Sequence, residues 1–79
     1  MAIDVKTAAE FKIFEDRSVR GERARYHIGY LARDVKGPTD GVRLRDLLRV
    51  VRRASNGGYV VLTQRRVSED LYEYFATRC

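Results

Sequence analysis

The stretch YVVLTQRRVSEDLYEYFATR, residues 59 to 78, decides the reading of the fold. Two runs rich in β-branched and aromatic residues flank Ser68, Glu69 and Asp70, the pattern of a β-hairpin. A two-residue turn at Ser68 and Glu69 sets Val67 opposite Asp70, Arg65 opposite Tyr72, Thr63 opposite Tyr74 and Tyr59 opposite Arg78. Directly opposed residues share a face of a sheet. One face is therefore expected to collect Tyr59, Val61, Thr63, Arg65, Tyr72, Tyr74, Ala76 and Arg78. The other collects Val60, Leu62, Leu71 and Phe75 as core.

Upstream of the hairpin, the spacing predicts a helix from about Val42 to Ser55. Leu44, Leu47, Leu48, Val51 and Ala54 recur at steps of three and four and form one apolar stripe. Asp40 or Thr39 can cap it. Asn56, Gly57 and Gly58 end it in the manner of a helix C-terminus. Lys36 to Gly41 is a dense turn signal. Arg25 to Asp34 alternates as a strand, with Tyr26, Ile28, Tyr30 and Ala32 on one side. His27, Gly29, Leu31 and Arg33 take the other side. Thr7 to Glu10 has the form of a capping box. Phe11, Ile13 and Phe14 after it fit a short helix and an extended segment equally. Residues 1 to 6 read as a flexible arm, and Arg17 to Arg25 as a solvated connection. The expected architecture is one α+β domain over residues 1–79. A three-stranded antiparallel sheet packs against one central helix, with a short N-terminal helix as an option.

A chain of 79 residues buries a modest fraction of its surface and leaves no room for an enclosed catalytic cavity. No apolar run approaches the roughly 20 residues of a membrane span, and the N-terminus lacks the pattern of a signal peptide. The sole cysteine is Cys79, so no internal disulfide forms; a reducing compartment, most simply the cytoplasm, is expected. The net charge is +5, carried mostly by arginine; the lysines are Lys6, Lys12 and Lys36. Codon bias explains an excess of arginine over lysine equally well. It does not explain the net positive charge, which points to anionic partners.

Catalytic chemistry is not expected. His27 and Cys79 are the only residues of their types, and a terminal thiol holds geometry poorly. The carboxylates show no spacing for metal ligation or paired acid–base work. Gly57-Gly58 follows a helix and lacks the Lys-Ser/Thr of a phosphate loop. We expect no metal and no cofactor.

Binding residues are easier to nominate. Arg45, Arg49 and Arg52 stand at steps of four and three and form a ridge on the central helix. It is either an ordinary solvated face or a phosphate-tracking surface. Arg65, Arg78, Tyr59, Tyr72 and Tyr74 form the hairpin face. Its tyrosines suit base stacking or a protein interface, and equally suit plain strand structure.

Asn56 to Arg78, with VVLTQRR and LYEYFATR, resembles the wing hairpin of winged helix-turn-helix regulators. That resemblance implies two helices ahead of the hairpin, and only one is legible here. In style, YHIGYLARD, QRR and YEY also resemble the small basic accessory proteins of bacteriophages and prophages, which often bind host machinery. The leading expectation is a small non-enzymatic protein that contacts nucleic acid, or a nucleic-acid-handling complex, through arginines and tyrosines. The alternative is a phage-encoded inhibitor or modulator docking on an acidic patch of a host protein such as RNA polymerase or a defence complex. A homodimer pairing exposed strand edges is a third expectation.

Overall fold

The computed structural model describes every residue except Met1 and Thr39. Its elements are β1 (Ala2–Asp4), α1 (Ala8–Arg17), β2 (Arg23–Gly29), α2 (Leu31–Asp34), α3 (Asp40–Asn56), β3 (Val60–Ser68) and β4 (Leu71–Arg78). The fold is α+β. The four strands form one sheet in the order β1-β2-β4-β3, with β1 parallel to β2 and the other pairs antiparallel. The expectation of three antiparallel strands and one helix is therefore corrected to a mixed four-stranded sheet and three helices.

The first correction lies at the N-terminus. Ala2 to Asp4, expected within a flexible arm, pair with Arg23 to Arg25. The next amide, Val5 N, bonds Arg25 O at 3.0 Å, and the Val5 side chain is buried. Next comes the capping box: the Thr7 hydroxyl accepts from Glu10 N, and Glu10 Oε1 accepts from Thr7 N. Those bonds satisfy orphan donors of the first turn and start α1. Phe11 and Phe14, three apart, then fall on one helical face and are buried.

The second correction concerns the predicted strand over 25–34. It begins earlier and ends at Gly29, and α2 follows it. A β-bulge explains the lost alternation. Arg25 pairs with Phe75 but His27 pairs with Tyr74, so Tyr26 is an extra residue. Tyr26 and His27 thus both lie on the helix side of the sheet, and Ile28, opposite Glu73, turns outward with 49% exposure. Gly29 has a φ of +142°, a conformation open essentially to glycine alone, and it turns the chain into α2.

The central helix forms as its apolar stripe predicts. Leu44, Leu47, Leu48, Val51 and Ala54 are all buried. They pack with Phe11, Phe14, Tyr26, Val60, Tyr74 and Ala76 in a single core between the helices and one face of the sheet. The helix ends in a Schellman arrangement: Tyr59 N bonds Ala54 O at 2.9 Å and Gly58 N bonds Ser55 O at 3.1 Å, with Gly58 at φ +80°. Asp40 is the first helical residue rather than a flanking cap. Thr39, the other nominated cap, lies outside the described residues.

The third correction is the hairpin register. The turn falls on Glu69 and Asp70, and Asp70 takes a φ of +61°. Aspartate tolerates that left-handed region better than most side chains. A second bulge follows between Arg66 and Ser68. Every later pair shifts by one: Arg65 faces Glu73, Thr63 faces Phe75 and Gln64 faces Tyr74. A shift of one residue moves a whole strand's side chains to the opposite face. The helix side therefore holds Val60, Leu62, Gln64 and Arg66 together with Tyr72, Tyr74, Ala76 and Arg78. The uncovered side holds Val61, Thr63 and Arg65 with Glu73, Phe75 and Thr77. Phe75, expected in the core under the helix, lies on the uncovered side. It is only 7% exposed there because the Arg23 guanidinium sits 4.6 Å above its ring.

Candidate nucleic-acid interface

Arginines occupy both sides of this molecule, but their surroundings differ. On the uncovered sheet face Arg25 and Arg65 are neutralised, and Arg23 lies over Phe75 without a salt bridge among the described residues. Arg25 lies between two carboxylates, with its Nε 2.7 Å from Asp4 Oδ1 and its Nη1 2.6 Å from Glu73 Oε2. Arg65 donates to the same Glu73 through Nε at 2.9 Å and through Nη2. Hydrogen bonds from Arg25 and then Arg65 hold the Glu73 carboxyl below its ordinary pKa. The Arg25 hydrogen bond does the same for Asp4. A concavity of about 480 Å3 opens over this network, lined in part by Arg23, Thr63 and Phe75. Asp4, Arg25, Arg65 and Glu73 satisfy one another there, and the Arg23 charge is left over.

The side of α3 turned away from the core is different. Arg45, Arg49, Arg52 and Arg53 line one concavity of about 650 Å3 with Val35, Leu48 and Asn56. Their placement follows from helical geometry, since residues three and four apart stack along one face. Among the described residues, Asp46 is the one carboxylate in a salt bridge with them, 3.9 Å from Arg49 and exposed with it to solvent. Arg45 donates Nη1 to the Val35 carbonyl, which ties α3 to the end of α2 without cancelling the charge. Among the described residues, Arg52 and Arg53 make no salt bridge. Arg66 projects from the hairpin on the same side of the sheet, and its Nε contacts only the Ser68 carbonyl.

The predicted site thus divides. Arg45, Arg49 and Arg52 come together as expected. Arg65 is on the far face, bound to Glu73. Tyr59 and Arg78 do meet, with the guanidinium 5.5 Å from the ring, but they stack on each other. Tyr72 and Tyr74 lie on the helix side, and Tyr74 is buried with 7% exposure. The expected Tyr/Arg platform is broken up, because the register shift carried Tyr72 and Tyr74 inward. Arg53 and Gln64 were missed as neighbours of the α3 ridge, and Arg66 as a hairpin arginine on the helix side of the sheet. Arg53 adjoins Arg52 in the sequence, whereas the placement of Gln64 and Arg66 depends on the bulge.

Sequence reading also missed a pair beside this surface. His27 Nε2 lies 2.7 Å from Asp34 Oδ2, and the same oxygen accepts from Tyr30 N at 3.1 Å. Burial works to raise the Asp34 pKa, but the His27 hydrogen bond and charge outweigh it and leave it lowered. A Cβ on Gly29 would lie 2.4 Å from Asp34 Oδ2. The pair therefore fixes α2 against the end of β2. Among the described residues, no three His, Cys, Asp or Glu side chains gather to hold a metal. No helix among them is long and apolar enough to cross a membrane.

No family model matches the chain, and neither a curated protein nor a solved structure matches it.

Proposed function

We propose that this chain is a non-enzymatic nucleic-acid-binding module that lays the outer face of α3 along the sugar–phosphate backbone. The observation that carries the reading is the contrast between its two arginine surfaces. Arg25 and Arg65 are matched by Asp4 and Glu73, whereas Arg45, Arg49, Arg52 and Arg53 share a groove with little opposing charge. Arginine forks suit phosphate oxygens, and such contacts give affinity without sequence preference. Arg66 adds a positive charge on the hairpin, on the helix side of the sheet.

Fluorescence anisotropy with labelled single-stranded and duplex oligonucleotides tests the reading. Binding is expected at low salt and should weaken steeply as salt rises. Absence of binding to every oligonucleotide at low salt would overturn it and leave a protein target in its place.

A further inference from the structure

The groove beside α3 does not end at its arginines. Val35, Leu48 and Arg52 line it and also line a second recess of about 390 Å3. That recess lies between α2, α3 and the hairpin. Tyr30 and Tyr72 wall it, their ring centroids 6.1 Å apart and their planes inclined at 47°. Tyr30 is 38% exposed and Tyr72 is half-buried. The Tyr74 ring closes one side, with its hydroxyl already accepting from Leu31 N at 3.1 Å. At the rim, the side chains of Gln64 and Arg52 are exposed. Neither is engaged by a carboxylate among the described residues.

We infer that this recess receives a single unstacked nucleobase while its flanking phosphates lie on Arg45, Arg49 and Arg52. The favoured ligand is then single-stranded nucleic acid, or a single-stranded segment of a larger one. This inference rests on the nucleic-acid reading above and adds the form of the ligand. Three properties of the recess carry it. Aromatic walls suit the flat face of a base, as on other single-strand surfaces. The Gln64 amide offers both a donor and an acceptor, and Arg52 offers donors, which fits the mixed edge of a base. An aliphatic anchor from a protein partner would fill the same space but strip water from Gln64 and Arg52 without replacing it. Finally, the recess opens directly from the cationic groove, so an anionic chain with planar side groups matches both at once. A duplex must first unstack and unpair a base to enter, a cost that a single strand does not carry.

The test compares three labelled ligands at one salt concentration: a short single strand, a duplex of the same sequence, and an abasic strand of the same length. The abasic strand keeps the phosphates and lacks the bases. The single strand should bind wild-type protein about tenfold more tightly than the abasic strand. Tyr72→Leu keeps apolar volume and removes the aromatic face, and Gln64→Ala removes the amide. Tyr72→Leu should bring the single strand down close to the abasic level, Gln64→Ala should bring it part of the way, and both should leave abasic binding unchanged. Equal affinity for the single and abasic strands would overturn the base recess and leave the phosphate groove standing. No binding to any of the three would overturn both readings. An acidic tyrosine-bearing peptide that displaces the single strand equally well would reassign the recess to a protein side chain. Should Tyr72→Leu fail to fold, the wild-type comparison and the exposed Gln64→Ala variant still decide the matter.

Discussion

Replacing Arg45, Arg49 and Arg52 together with glutamine should change how binding responds to salt more than it changes anything else. The groove and hairpin present Arg45, Arg49, Arg52, Arg53 and Arg66 on one side of the molecule. With one phosphate for each of these arginines, log K falls against log salt with a slope of about −4.5 on duplex or about −3.5 on single strand. Raising salt from about 50 to about 200 mM then weakens wild-type binding by about 500-fold or about 130-fold respectively. The triple variant retains Arg53 and Arg66, so its slope should shallow to about −1.8 or about −1.4. The same salt step should cost it only about 12-fold or about 7-fold. Anisotropy titrations at several salt concentrations measure both slopes. Arg45 also holds the Val35 carbonyl, so thermal melts of the variant come first. An Arg49→Gln, Arg52→Gln double variant, which spares that contact, should lose a slope of about 1.4 to 1.8. A triple variant that melts like wild type and keeps the wild-type slope would refute the assignment of α3 to the phosphates.

Other outcomes follow from the core and its margins. Leu47 is fully buried, so Leu47→Ala should cost about 2–5 kcal/mol in a denaturant melt, near the limit for a domain this small. Gly29→Ala should cost about 1–3 kcal/mol for its φ alone, and the Asp34 contact adds to that. Gly29→Ala combined with Asp34→Ala should recover nothing of the backbone part. The folded pKa of Glu73 lies below its ordinary value of 4.5, so its charge contributes stability that is present above that pH. That contribution is lost as pH falls through the folded value, so melting temperature should drop on acidification below about pH 4.5. Glu73→Gln should flatten part of that acid slope, and an unchanged profile would remove the Arg25–Glu73–Arg65 network from the account of stability.

Local chemistry made several elements legible. The α3 stripe, its glycine stop and the Thr7–Glu10 capping box each depend on residues within a few positions of one another. The ridge of Arg45, Arg49 and Arg52 was legible for the same reason. What failed depended on single inserted residues. Tyr26 and Val67 each break an otherwise regular alternation, and no composition signal marks either as a bulge. The second bulge was enough to put Glu73 and Phe75 on the uncovered face in place of Tyr72 and Tyr74. β1 was missed because a three-residue parallel strand has no turn beside it and no periodicity of its own. Its partner is chosen by distant residues. The tyrosine recess could not be foreseen without knowing that Tyr30 leaves β2 beside Tyr72.

The strand order carries a consequence for how the chain assembles. β4 comes last along the sequence, yet it stands inside the sheet, between β2 and β3. Neither of those neighbours pairs with the other. During synthesis, β2 and β3 therefore leave the ribosome with a bare edge each, and only residues 71 to 78 can occupy the gap. Until then the helices have half a sheet to rest on, and the nascent chain shows unpaired backbone that can capture a second copy. Closure joins Arg23 to Thr77 across most of the sequence, a long-range step of the kind that slows folding. Loss of the last strand would remove the joint between the two halves of the sheet.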